Sequence, residues 1–229
     1  MNRRLELALH PPPEVGRFDT GLRYTDILFG LVIRELFSRL QNWSLLGSAV
    51  RWHLVVGTTL VLGSWIGYRR SLNRTAYEVK FFNLPLLRWL VDQLMLVLYF
   101  RVATLTDLGG GKLLTPDELA TTTSTLVLYV FVLYIFWDFL GIWMASASIP
   151  GEPAASRNPR YPKLGDEKST KWQSKDWPGL LITLSTLVLV AALRSAADRL
   201  IPEALLIIMV VLLAGYRLAK EVRTSWRSH

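Results

Sequence analysis

Six separate apolar runs, each close to the length of a bilayer crossing, constrain this chain more than any other feature. They cover about residues 24–40, 50–68, 84–104, 123–145, 178–195 and 201–218, and a helix needs roughly 17–25 such residues to traverse the hydrocarbon. Runs such as STLVLYVFVLYIFWDFLGIWM and ALLIIMVVLLAGY are apolar on every face, as befits segments surrounded by lipid or by other helices. Inside a bilayer the backbone must satisfy its own hydrogen bonds, so these runs predict helices rather than open strands. The expected fold is all-α: a polytopic membrane helical bundle with six transmembrane helices.

The net charge of +8 would raise nucleic acid as a partner for a soluble protein. The placement of the charges points elsewhere. The N-terminus, the second and fourth loops and the C-terminus together hold 18 Lys and Arg, against six on the opposite side. Such an asymmetry puts both termini in the cytoplasm. No nucleic-acid reading motif accompanies the basic residues, so no nucleic-acid partner is expected. The lipid bilayer is the partner implied, with the chain a multi-pass protein of a bacterial-type inner (plasma) membrane.

The domain organisation follows. Residues 1–22 form a cytoplasmic N-terminal arm, 23–146 a four-helix transmembrane part, 147–177 a cytoplasmic linker loop, 178–218 a two-helix transmembrane part, and 219–229 a cytoplasmic tail. The start, MNRRLELALHPPPEVGRFD, is basic but lacks an apolar core for a signal peptide, and Pro11–Pro13 would break one. The first membrane helix is expected to serve as the insertion signal. The fourth loop, rich in Pro, Gly and charge, predicts a mobile cytoplasmic linker. In the third loop, Thr115, Pro116 and Glu118 have the spacing of a capping box, so helix 4 is expected to begin before the apolar run. The GGGK just upstream lacks the spacing of a phosphate-binding loop and predicts a turn.

Little supports catalysis. There is no cysteine and only His10, His53 and His229 as histidines, with no metal-ligand spacing and no nucleophile-elbow motif. The chain is expected to be no enzyme, with no catalytic residue, no metal and no cofactor.

Charges within the runs are the informative residues, because an ionised group at mid-bilayer costs at least about 2.5–3.5 kcal/mol unless paired or facing a cavity. They are Asp26, Arg34, Glu35, Arg88, Asp92 and Asp138. Arg88 and Asp92, four residues apart, share a helix face and can pair. On helix 1, at about 100° per residue, Asp26, Gly30, Ile33 and Phe37 fall on one stripe and Ile27, Leu31, Glu35 and Ser38 on another. Asp26 then either accepts hydrogen bonds from Trp65, Tyr68 or Arg23 or acts as an ion ligand. Leu31 meets lipid or core, or it constricts a pore. Arg34 and Glu35 form an interhelical bridge with Asp92 or Arg88, or they face a shared axis, where a ring of Glu35 would favour cations. In helix 2, Gly63 and Gly67 are a small-xxx-small pair that admits a close neighbour. Trp43, Trp52, Trp65, Trp143, Trp177 and Tyr216 sit near the run ends, as interfacial aromatics do.

YTDILFGLVI resembles the first-helix signature of the transmembrane protein 175 potassium-channel family, Phe-Ser-Asp followed by Gly-Val-Phe-Ala-Ile. Tyr24 and Thr25 take the first two places, and Asp26 and Phe29 match outright. SWIGYRRSL is similar to that family's Trp-x-x-His-His-Arg stretch: Trp65 and Arg70 agree, and Tyr68 and Arg69 replace the histidines. LLRWLVDQLMLVLYF loosely resembles its third helix, with Asp92 near the place of an Asn. The likeness covers about residues 17–105. It implies a homo-oligomer, a tetramer by preference, whose first helices line a pathway for monovalent cations of the potassium type, with bulky aliphatic side chains as the constriction.

The expected function is therefore an oligomeric cation channel or pore. Leu28, Leu31 and Glu35 are its pore-lining candidates, and Asp26, Trp65, Arg70, Arg88 and Asp92 brace its helices. The alternative is a non-conducting membrane sensor or anchor subunit that recruits a cytoplasmic protein partner through the basic loops.

Overall fold

The computed structural model describes residues 18–72, 84–106, 114–147 and 177–225. Among these, the regular elements are all helical. Six long helices form a bundle: α1 Phe18–Leu40, α2 Ser48–Leu72, α3 Leu84–Thr104, α4 Pro116–Ala147, α5 Trp177–Ser195 and α6 Pro202–Ser225. Short 3-10 turns, Trp43–Leu45 and Ala197–Arg199, bridge α1 to α2 and α5 to α6.

The helix starts follow local chemistry. Proline opens α4 and α6, where its missing N–H has no intrahelical partner to lose. At α4 the expected box closes: Glu118 accepts from the Thr115 backbone N–H at 2.9 Å, and the Glu118 N–H donates back to Thr115 Oγ1 at 3.2 Å. α4 therefore begins at Pro116, ahead of the apolar run expected from 123.

Side-chain pairs fix the helix directions. Trp65 reaches Asp26 while Gly57 lies against Leu36, so α1 and α2 are antiparallel. Gln93 meets Thr25 and Arg39 meets Thr106, so α3 runs with α1. Tyr134 and Asp138 meet Arg217 and Lys220, so α6 runs with α4. Thr183 bonds Asp138 and Arg194 bonds Thr125, so α5 opposes α4. The bundle is up-and-down, with α1, α3 and α5 in one direction and α2, α4 and α6 in the other. Helices α2 and α4 are the most central: α4 touches α2, α3, α5 and α6, and α2 touches α1, α3, α4 and α6. The core between them includes Leu36, Leu54, Val61, Tyr99, Val102, Val127, Phe131, Leu205 and Met209, all essentially inaccessible.

By length and apolarity alone, three helices are suited to cross a membrane: Ser48–Arg69, Pro116–Trp143 and Trp177–Ser195. A membrane helical bundle follows, and it corrects the expectation that six runs would qualify by composition. The runs at 24–40, 84–104 and 201–218 are helices, but charges interrupt or border them. α1 carries Asp26, Arg34, Glu35 and Arg39, and α3 carries Arg88, Asp92 and Arg101. In α6 the charges gather at the ends, with Glu203 at one and Arg217, Lys220, Glu221 and Arg223 at the other.

Candidate functional site

Helix α1 divides its side chains sharply. Thr25, Phe29, Val32 and Leu36 are buried against α2 and α3, a spacing of three to four residues that makes one face. Tyr24, Ile27, Leu31, Arg34 and Ser38 are exposed on the opposite face. Leu31 is 48% exposed and Ile27 61%. Leu28 is half-buried on the core side. Among the described residues none bonds to Arg34.

Glu35 behaves differently from its neighbour. Its carboxylate accepts from Arg39 Nε at 3.0 Å and Nη2 at 2.6 Å, and Arg39 Nη1 donates to Thr106 Oγ1 on α3 at 3.0 Å. The bridge expected to Asp92 or Arg88 is replaced by this i,i+4 pair, which the helix itself supplies. Glu35 and Arg39 border an outward-open cavity of about 480 Å³ with Ser38, Asn42 and Thr106.

The bracing residues resolve as follows. Asp26 accepts from Trp65 Nε1 at 3.4 Å and pairs with Arg69 at 3.4 Å. It therefore ties α1 to α2, while the Tyr68 hydroxyl bonds Thr25 one residue away. Arg88 and Asp92 are both buried, and the Arg88 guanidinium stacks 3.8 Å from the Trp137 ring of α4. Arg70 lies in α2 with its side chain outside the described residues.

A polar interior cluster was not anticipated. Arg217 of α6 donates to Ser64 Oγ at 3.2 Å and to the Tyr134 hydroxyl at 3.0 Å. Its guanidinium lies over the rings of Tyr134 and Tyr216. Tyr134 also bonds Ser64 and, at 2.9 Å, Tyr99. Ser64 donates onward to the Leu60 carbonyl at 2.5 Å, so the Ser64 and Tyr134 hydroxyls each both accept and donate. Beside this, Asp138 receives Lys220 at 2.9 Å and the Thr183 hydroxyl at 2.6 Å. Nearer the other end, the two ring nitrogens of buried His53 meet Thr123 Oγ1 at 2.7 Å and the Val102 carbonyl at 3.0 Å. Tyr216, expected at an interface, is 5% exposed and belongs to this interior.

The Gly63 and Gly67 spacing was the legible signal for the cluster. A Cβ at Gly63 would fall 2.8 Å from Arg217 Nε, and one at Gly67 2.6 Å from Nη1. The close neighbour that the glycines admit is thus an arginine side chain rather than a helix backbone. Among the described residues no group of three His, Asp or Glu converges as a metal site. The GGGK turn, the basic loop after α2 and residues 148–176 of the linker lie outside the described residues.

No family model matches this chain, and no curated protein or solved structure does either.

Proposed function

We propose that the chain is one subunit of an oligomeric membrane pore, in which all six helices cross the lipid and the first helix of each copy lines the pathway. The observation that carries this is the exposure of Arg34 at depth.

Leu36 packs against Gly57, nine residues into α2. At about 1.5 Å per residue that level is roughly 14 Å below the outer end of α2, and Arg34 lies about 3 Å deeper. Along α1 itself Arg34 is about 9 Å from the end of the helix, and side chains tilt toward the helix N-terminus, here the inner side. Its charge is therefore directed toward mid-bilayer. Exposure to lipid there costs at least about 2.5–3.5 kcal/mol. A second copy of the chain, with water along a shared axis, removes that cost.

Six spans are supported by packing. α1 and α3 lie alongside α2 and α4 for most of their length, and Asp26, Arg88 and Asp92 are turned inward or paired. Leu31, three residues before Arg34 on the same exposed stripe, is the constriction, since bulky apolar rings gate by dewetting. The family resemblance supports a ring of four copies in a bacterial-type inner membrane.

Purified full-length protein in liposomes tests this. The expected result is ion flux that Leu31→Ala increases. Absence of flux at every potential and pH, together with a monomer in detergent, would overturn it.

A further inference from the structure

Resting on that pore assignment, we propose that the pathway passes small anions in preference to cations, with Arg34 as the residue that selects charge.

The inference comes from which charges α1 presents outward and which it keeps. The exposed stripe of Tyr24, Ile27, Leu31, Arg34 and Ser38 holds one ionised group, the Arg34 guanidinium. The two carboxylates of this part of α1 are both engaged within the subunit. Glu35 is gripped by Arg39 through two nitrogens, and Arg39 is itself anchored to Thr106 of α3. That pair is neutral in sum: Arg39 leans on α3 through Thr106, and Glu35, 33% exposed, borders the stripe with its carboxylate already engaged. Asp26 is held by Arg69 and Trp65 of α2. Among the described side chains of α1, each copy therefore brings one positive charge to the shared axis and no free carboxylate.

A ring of guanidinium groups beside an apolar constriction repels cations and concentrates anions, because low-dielectric walls focus the field of a one-signed lining. Ser38, one turn outward, donates its hydroxyl to the Glu35 carbonyl at 2.8 Å, so it brings only a neutral oxygen acceptor to the stripe. Gly30, one turn inward, has no neighbour within 4 Å of where a Cβ would stand. A potassium pathway would need the Glu35 carboxylate at the axis, free of its two bonds to Arg39.

The test is reversal-potential measurement on full-length protein in planar bilayers under a potassium chloride gradient. The wild type is expected to reverse toward the chloride equilibrium. Arg34→Gln is expected to bring the permeability ratio near one, and Arg34→Glu to invert it. In parallel, Leu31→Cys in the otherwise cysteine-free chain is treated with anionic and cationic methanethiosulfonates. The anionic reagent should react at least about 10-fold faster, and this readout stands even where Arg34→Glu fails to assemble. Currents that reverse toward potassium, or equal reagent rates, would overturn the anion assignment and leave the pore standing. A bilayer that passes no ion with any of these proteins would overturn the pore itself, and the anion assignment with it.

Discussion

Arg217 on α6 and Arg34 on α1 pose the same physical problem, a guanidinium set among apolar helices, and the bundle answers only one of them. Around Arg217, Gly63 and Gly67 clear a trough, Ser64 and Tyr134 accept its hydrogen bonds, and two tyrosine rings cover its faces. Around Arg34 no described residue supplies an acceptor or a ring. A charge fully accommodated within its own subunit belongs to the fold. One left exposed on the surface of a bundle whose six helices are proposed to cross the lipid calls for something beyond the subunit. The comparison therefore separates architecture from function by where each arginine finds its partners.

Breaking the interior side should have the largest effect. Asp138→Ala strands Lys220 inside the bundle, where the pair is 14% and 25% exposed. Loss of one member of a buried pair costs about 3–5 kcal/mol, so the detergent-solubilised variant should unfold at a much lower denaturant midpoint. Next, Gly67→Val places methyl groups in the trough that Arg217 fills. Overpacking of this kind costs about 1–3 kcal/mol and should appear as a lower thermal midpoint with retained helicity. Trp65→Phe removes the long 3.4 Å bond to Asp26, and its cost should be about 0.5 kcal/mol, the low end for a single hydrogen bond. Smallest of all, Arg34→Leu should change the unfolding free energy of the isolated subunit by less than about 0.5 kcal/mol, because no described residue bonds to it. A large loss there would mean that Arg34 is a fold residue like Arg217 and would dissolve the contrast.

Much of the scaffold was legible because its signals are local. The six helices follow from apolar run lengths, and the start of α4 from Thr115, Pro116 and Glu118. Asp26 as a tie to Trp65 was one of two open alternatives, and within the subunit the two side chains do meet, at 3.4 Å. What stayed hidden depended on helix rotation and on partners distant in sequence. Nothing local says that Glu35 turns to Arg39 while Arg34 turns outward, since a shift of one residue swings a side chain by about 100°. Arg217 looked like one more basic residue of the cytoplasmic flank, because its acceptors, Ser64 and Tyr134, lie 153 and 83 residues away. The glycine pair marked the place of a close approach without naming the visitor. Apolar run counting also overstated how many helices qualify as spans by composition, because it passed over charges that the bundle then buries or pairs.

The central claim is that the exposed face of α1 meets its counterpart in another copy across an axis. The absence of native cysteine makes single-cysteine cross-linking in intact membranes its most direct measurement. Leu31→Cys should form covalent dimers rapidly under mild oxidation, while Val132→Cys, on the exposed face of α4, should not. Equal and negligible cross-linking at both positions, or dimers through Val132→Cys alone, would contradict it.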